Sequence, residues 1–74
     1  MVNVTVDARG LACPMPIVKA KKAIDSLKSG EVLELLATDK GSTNDLKAWA
    51  RNGGHELVQA VEEAGVYRFH IRKA

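Results

Sequence analysis

The segment EVLELLAT, Glu31–Thr38, is apolar enough to form the central strand of a β-sheet. Before it, the stretch VNVTVD alternates strictly, with valines on one side and Asn3, Thr5 and Asp7 on the other. After it, close to the end of the chain, the stretch VYRFHIRK alternates in the same way. Such patterns of period two predict strands that bury one face only. The central strand therefore lies, in sequence, between strands with one polar face.

Two amphipathic helices are predicted between these strands. The first runs from Pro14 to about Lys28, where apolar residues recur at helical spacing, and Gly30 is placed to end it. The second is shorter. Ser42 or Thr43 can cap its start, and a Gly-Gly pair ends it.

The remaining segments complete an α+β fold. The stretch HELVQAVE is typical of a third strand, and a tight connection at residues 63–65 joins it to the last one. The element order is then β-α-β-α-β-β. The economical packing puts both helices on one face of a four-stranded mixed sheet and leaves the other face open to water. We therefore predict a two-layer α/β sandwich in a single domain, residues 1–74.

Length and charge limit the possible functions. A chain of 74 residues buries one thin core and cannot enclose a deep substrate cavity. This disfavours catalysis on a free small molecule and favours docking to other macromolecules. The formal net charge of +2 falls short of a dedicated nucleic-acid binder. No signal peptide or membrane-spanning run is present, so we expect a cytoplasmic protein with no membrane insertion. Because both helices cover one sheet face and the open face is expected to be polar, we expect a monomer.

The only cysteine of the chain lies in RGLACPMP, Arg9–Pro16, directly before a Pro-x-Pro unit. Proline suits the first helical position, so we predict that Pro14 is that position and Cys13 the N-cap, with Pro16 still in the first turn. The positive end of the helix dipole favours the thiolate, which is the nucleophilic form. The motif therefore predicts a reactive sulfur on a rigid mount.

Neighbouring residues are candidates for shaping this site. Arg9, and Lys19 one turn into the helix, can add positive potential. Gly10 allows a sharp turn between strand and helix. Met15 keeps a backbone N–H at a helix start where the two prolines have none. Asp7 can orient the loop, although an exposed carboxylate at a strand end is the simpler interpretation.

Simpler interpretations stay open for the other features too. The cysteine can be an inert buried residue, and the prolines can simply mark the start of a helix. The basic run containing Lys19, Lys21 and Lys22 is a solvated face or a docking patch. One cysteine and two distant histidines, His55 and His70, show no zinc spacing, so we expect no metal and no cofactor.

The stretch DARGLACPMP, followed by ATDKGSTNDLKAW and GGHEL, resembles the TusA-like (SirA-like) family of small sulfur-carrier proteins. Asp39, Ser42 and Asp45 fit the second block of the family pattern, and the resemblance covers essentially the whole chain. One departure is Lys40, where many members carry proline. That position belongs to a loop and does not affect the thiol.

The resemblance implies that Cys13 carries sulfane sulfur as a persulfide, with Pro14 and Pro16 as its mount. Family members relay sulfur from a cysteine desulfurase or rhodanese-like donor to an acceptor protein, in tRNA thiolation, molybdenum-cofactor chemistry or thiosulfate and sulfur metabolism. A membrane thiosulfate transporter is one partner to consider. We therefore expect a sulfurtransferase-type carrier rather than a small-molecule enzyme. The lack of a second cysteine argues against a thioredoxin-like cycle.

Two other functions remain as alternatives. A nucleic-acid-binding module could present Arg68, His70 and Arg72 to phosphates from the open sheet face. Tyr67 and Phe69 alternate to the buried side, however, and leave no aromatic ring to stack on bases, so we expect no stable nucleic-acid binding. A regulatory interaction domain with an incidental cysteine predicts that replacing the cysteine by serine preserves full function in cells.

Overall fold

The structure is a computed structural model that describes residues 2–12 and 14–74, with Ser42 described by its backbone alone. Within these residues, helices and strands follow one another in the predicted order β-α-β-α-β-β. In chain order they are β1 (Val4–Ala8), α1 (Met15–Asp25), β2 (Val32–Ala37), α2 (Ser42–Asn52), β3 (Glu56–Glu63) and β4 (Val66–Arg72).

The strands form one mixed sheet in the order β1-β2-β4-β3. β1 runs parallel to β2, whereas β4 runs antiparallel to both β2 and β3. A parallel pair needs a crossover connection, and α1 supplies it. The apolar segment EVLELLAT therefore contains a central strand, as predicted.

The core lies between one face of the sheet and both helices. Along β2 the side chains alternate, so that Leu33, Leu35 and Ala37 are buried. One cluster joins them to buried side chains of both helices and of β1 and β4, namely Ala8, Ala20, Ile24, Leu46, Ala50, Phe69 and Ile71. Because both helices contribute to the same cluster, they cover the same sheet face. The predicted two-layer sandwich is confirmed.

The first helix ends earlier than predicted, at Asp25 rather than near Lys28. The backbone N–H and the hydroxyl of Ser26 both donate to the carbonyl of Ala23, at 3.1 and 2.7 Å. These bonds tighten the last turn and stop the helix. Gly30 lies in the following turn instead, at φ +87°, and its N–H donates to the carbonyl of Lys73.

The second helix begins at Ser42, and its N-cap is Gly41. The expected cap at Ser42 or Thr43 is therefore wrong. The physical reason lies two residues before the N-cap. The carboxylate of Asp39 accepts the N–H of Gly41 at 3.2 Å and turns the chain into the helix. Gly53 is the C-cap, so the end of α2 agrees with the prediction.

The sheet has two chemically different ends. The register that aligns Ala8 with Ala37, and Ala37 with Tyr67, brings three connections together at one end. We call this end, with residues 9–12, 14, 38–41 and 64–65, the upper end. The opposite end, with residues 26–31, 53–55 and 73–74, is the lower end.

Candidate functional site

The connection between β1 and α1, residues 9–14, holds the predicted site, and its Cys13 lies outside the described residues. A hydrogen-bonded turn opens this connection, with the N–H of Leu11 donating to the carbonyl of Ala8 at 3.3 Å. Gly10 occupies the third position of the turn at φ +80°, a conformation that is strained for any side chain. The chain thus turns sharply between strand and helix at Gly10.

Arg9 is paired with the carboxylate of Asp7 at the end of β1. Nε and one terminal nitrogen of Arg9 each donate to an Asp7 oxygen at 2.8 Å, and the backbone N–H of Arg9 donates at 3.1 Å. These hydrogen bonds, the side-chain ones first, hold the pKa of Asp7 far below its usual range and raise the pKa of Arg9. The guanidinium is therefore balanced by a carboxylate, which differs from the expectation of an added positive potential.

A second contact ties the loop to the connection between β2 and α2. The N–H of Gly10 donates to Oγ1 of Thr38 at 2.8 Å. Thr38 follows β2 directly, and the parallel register of β1 and β2 brings the two connections together. Sequence reasoning missed Thr38, whose only signal is a hydroxyl directly after a strand. It also undervalued Asp7, whose signal is the Asp-x-Arg spacing of an Asx turn.

The start of α1 is shifted by one residue from the prediction. Pro14 is the N-cap, at φ −96° and ψ 12°, and Met15 is the first helical residue. The N–H of Met15 donates to the carbonyl of Ala12 at 2.9 Å, which adds a turn before the helix. The prediction that Pro14 is the first helical residue, with the N-cap one position earlier, is therefore wrong.

The two prolines have different surroundings. Pro14 is exposed, and its carbonyl accepts the N–H of Val18 at 3.0 Å. Pro16 is the second helical residue and one of the fully buried side chains. Pro16 therefore anchors the first turn of α1 to the core, whereas Pro14 shapes the entry of the chain into the helix.

The outer surface of α1 is partly apolar beside this loop. Met15 and Val18 are 44% and 49% exposed, and they belong to the small set of exposed large hydrophobic residues in the described chain. Lys19 and Lys22 are exposed on the same side, because positions 15, 18, 19 and 22 share one helix face. We call these four residues the α1 stripe. Lys21 is exposed beside it.

The residues of the second sequence block also lie at the upper end. Asp39 turns the chain into α2 through Gly41, and Asp45 lies in the first turn of α2, where a negative charge complements the helix dipole. Ser42 is the first helical residue, and its side chain is not described. Lys40 lies exposed in the same loop.

The open sheet face centres on the carboxylate of Glu34. It accepts a hydrogen bond from Thr5 at 3.2 Å, meets Nε2 of His70 at 2.9 Å, and lies 3.6 Å from Nε of Arg68. The contact with His70, followed by that with Thr5, lowers the pKa of Glu34. Arg72 forms a salt bridge with Glu56. The basic residues of β4 therefore all face carboxylates.

The open face is not wholly polar, in contrast to the expectation. Near the upper end, Leu36, Val61 and Val66 line a shallow depression of about 210 Å³, and Arg9 and Arg68 are also part of its wall. Leu36, Val61 and Val66 come from three different strands, and each of these strands has few apolar residues on its outward side. No single strand pattern therefore predicts that they form an apolar depression.

The two histidines lie in different parts of the fold. His70 contacts Glu34 on the open face, and His55 packs against Trp49 with ring centroids 5.5 Å apart. Among residues 2–12 and 14–74, no three potential metal ligands come together. In the same part of the chain, neither helix is long and apolar enough to cross a membrane.

Comparison with known proteins finds relatives along nearly the whole chain. Residues 4–73 match the family model described as Sulfurtransferase TusA. YrkI from Bacillus subtilis (strain 168) is 54% identical over 68 residues, which cover 92% of this chain and 91% of the relative. Sulfur carrier protein TusA from Allochromatium vinosum is 46% identical over 69 residues, with 93% and 91% covered.

A solved structure shows the same fold. The crystal structure of the SirA-like protein from Desulfitobacterium hafniense matches with a TM-score of 0.84 at 31% sequence identity, covering 93% of this chain and 95% of that one. The family model spans nearly the whole sequence, and the relatives are similar along nearly their whole length. The chain therefore belongs to the TusA sulfurtransferase family.

Proposed function

We propose that the protein carries sulfane sulfur as a persulfide on Cys13 and relays it from a donor protein to an acceptor protein. The observation that carries the proposal is that the backbone before and after residue 13 is held by hydrogen bonds. The carbonyl of Ala12 and the N–H of Met15 are joined at 2.9 Å, and the preceding loop is tied to Asp7 and Thr38. Relatives named sulfur carrier protein TusA support the same role.

Persulfide relay needs no oxidant and no second cysteine of this chain. The thiolate of Cys13 attacks the terminal sulfur of a donor persulfide, the donor S–S bond breaks, and the donor leaves as a thiolate. A thiolate of the acceptor later attacks the terminal sulfur on Cys13 in the same way. Each step exchanges one S–S bond for another, so electrons and sulfur atoms balance.

The position before α1 favours the nucleophilic form of the sulfur. The helix dipole presents its positive end there, which stabilises a thiolate over a thiol. Arg9 is balanced by Asp7, so other exposed cations supply positive potential at this end, namely the lysines of the α1 stripe and Lys40. We expect this arrangement to activate the sulfur only moderately. A carrier benefits from that, because an over-stabilised thiolate attacks less readily.

The α1 stripe is the surface we assign to contact with the donor and the acceptor. Met15 and Val18 are exposed apolar side chains directly after the cysteine loop. Lys19 and Lys22 extend the stripe with positive charge. A partner with an apolar spot bordered by carboxylates fits this surface. A cysteine desulfurase or a rhodanese-like protein is the donor class that the family resemblance suggests.

Single-turnover transfer tests the proposal. A persulfide-loaded rhodanese donates to the protein, which is then mixed with a thiol acceptor protein. We expect Cys13→Ser to reduce transfer to the uncatalysed background while circular dichroism shows an unchanged fold. Transfer by Cys13→Ser at a rate near that of the wild type would contradict the proposal and would favour a regulatory domain with an incidental cysteine.

The nucleic-acid alternative gains no support from the open face. Arg68 and His70 face Glu34, Arg72 pairs with Glu56, and Phe69 is buried. The cations that would meet phosphates are thus already next to carboxylates. Absence of stable nucleic-acid binding stays a prediction, and retention on an RNA column at low salt would oppose it.

A further inference from the structure

A groove at the lower end plays no part in the proposed sulfur chemistry. It is a depression of about 390 Å³ between α2 and β3, open on its solvent side. Its lining consists of Lys47, Ala50, Arg51, Gly54, His55 and Leu57, and we call it the basic groove. Since α2 runs from the upper to the lower end, the groove lies at the end of the sheet away from the cysteine loop.

The charged groups of the basic groove all have the same sign. Lys47 and Arg51 are exposed and lie four residues apart on α2, a spacing at which like charges repel each other. Neither forms a salt bridge with any carboxylate of residues 2–12 and 14–74. The fold therefore brings two cations together with no carboxylate of the described chain within salt-bridge distance of either.

His55 adds a hydrogen-bond donor to the same groove. Its Nδ1 accepts the backbone N–H of Ala74 at 3.1 Å, so the neutral ring carries its proton on Nε2. The ring lies close over the end of α2, where a side chain at Gly53 would approach its Cδ2 to 2.8 Å. The glycine at this position thus allows the histidine to complete the wall of the groove.

The floor of the groove is aliphatic. Ala50 is 1% exposed, and Leu57 packs partly buried against the core. A ligand that fits must therefore combine negative charges with apolar groups. No Phe, Tyr or Trp lines the groove, so nucleic-acid bases would have only the small ring of His55 on which to stack. A polypeptide with carboxylate and aliphatic side chains meets both requirements.

We propose that the basic groove docks an acidic segment of a partner protein, while the upper end stays accessible for sulfur transfer. The carboxylates of the segment would meet Lys47 and Arg51, and an aliphatic side chain would cover Leu57. A partner bound in this way keeps the carrier at high local concentration between cycles. The proposal concerns a second surface and does not depend on the sulfur chemistry.

Binding of a synthetic acidic peptide tests the proposal. The probe is a capped peptide of sequence GDELEDG, and the reference peptide is GNQLQNG, which has the same shape without charge. Trp49 reports binding through its fluorescence, because its ring lies 5.5 Å from that of His55 in the groove wall. We expect a saturable change with the acidic peptide, at least tenfold weaker binding of the uncharged one, and weakening by added salt.

Paired charge variants locate the site. The groove variant combines Lys47→Gln with Arg51→Gln, and the control combines Lys28→Gln with Lys40→Gln, which removes the same net charge elsewhere. We expect at least tenfold loss of peptide binding in the groove variant and less than twofold in the control. No saturable binding, or equal loss in both variants, would overturn the proposal.

Two further measurements separate this proposal from other outcomes. An oligouridylate that binds more tightly than the acidic peptide, and loses binding in the same groove variant, would overturn the proposal in favour of nucleic acid. Sulfur loading of Cys13 is measured on both variants and is expected to match the wild type. Failure of the wild type to load sulfur would contradict the proposed function and leave the peptide result unaffected.

Discussion

The upper and lower ends of the sheet use charge in opposite ways. At the upper end Arg9 is paired with Asp7, and the exposed groups beside the cysteine loop include the apolar side chain of Met15. At the lower end Lys47 and Arg51 border an aliphatic floor and form no salt bridge with carboxylates of the described residues. An apolar surface bordered by the lysines of the α1 stripe therefore characterises the upper end, whereas clustered positive charge characterises the lower end.

Among variants that keep Cys13, the largest effect at the upper end is expected from charging the α1 stripe. Met15→Glu with Val18→Glu should slow transfer between proteins about 30-fold, or roughly 2 kcal/mol of barrier, because partner contact would bury two carboxylates. The fold should persist, since both side chains are exposed. Single-turnover transfer rates, measured beside urea unfolding, check this.

A matched variant serves as the control for the α1 stripe. Val58→Glu charges another exposed valine, 50% accessible on β3, away from the stripe. We expect its transfer rate to stay within twofold of the wild type. If Val58→Glu slows transfer as much as the stripe variant does, the stripe has no special role in partner contact.

Replacing the two prolines one at a time should affect different properties, the rate of sulfur transfer for Pro14 and the stability of the fold for Pro16. Pro14→Ala should slow transfer about tenfold, or roughly 1.4 kcal/mol, while barely changing the free energy of unfolding, because Pro14 is exposed at the loop entry. Pro16→Ala should lower the free energy of unfolding by about 1.5 kcal/mol, since it removes two buried methylene groups. Urea melts and transfer rates of the single variants check both. Identical profiles for the two variants would show that the prolines act as one unit.

Much of this fold could be predicted from the sequence. The alternation of β4 placed Phe69 and Ile71 inside, and the structure buries both. The helix ends were less predictable, because they depend on single hydrogen bonds such as that of the Ser26 hydroxyl. The first helical residue was also missed, since proline is compatible with both the N-cap and the next position.

The chemistry of the two ends was harder to predict than the fold. The hydrogen bond from Gly10 to Thr38 joins residues 28 positions apart, and no local sequence pattern predicts it. The basic groove gathers Lys47 and Arg51 from α2 and His55 from the following loop. In the sequence, the segment Ala-Trp-Ala separates the two cations, and Asn-Gly-Gly separates Arg51 from His55. Helical spacing brings the two cations together, but only the fold places His55 and Leu57 beside them, as it places Thr38 beside Gly10.

The smallest effect is expected from the ion pair beside the cysteine loop. Asp7→Asn should slow transfer about threefold by loosening the turn at Arg9, and it should move the pH midpoint of Cys13 alkylation lower, because the freed guanidinium favours a thiolate. Asp25→Asn, on the exposed side of α1, is the control and should change neither. An unchanged alkylation profile in Asp7→Asn would contradict this role.

The pH dependence of this pair follows from the direction of the shift. The folded pKa of Asp7 lies below its unfolded value of about 3.9, so the pair is fully formed above that pH. Its contribution is lost only as the pH falls through the depressed folded value. Loop order in the wild type should therefore not change between about pH 5 and 8, as amide chemical shifts of Arg9 and Gly10 can show.

The most direct test of the account is the intact mass of the protein after incubation with a persulfide-loaded rhodanese. We predict one added sulfur atom, located on Cys13 by fragmentation, removed by a reducing thiol, and absent from Cys13→Ser. Either no added sulfur on the wild type or the same addition on Cys13→Ser would contradict the claim that Cys13 carries the sulfur.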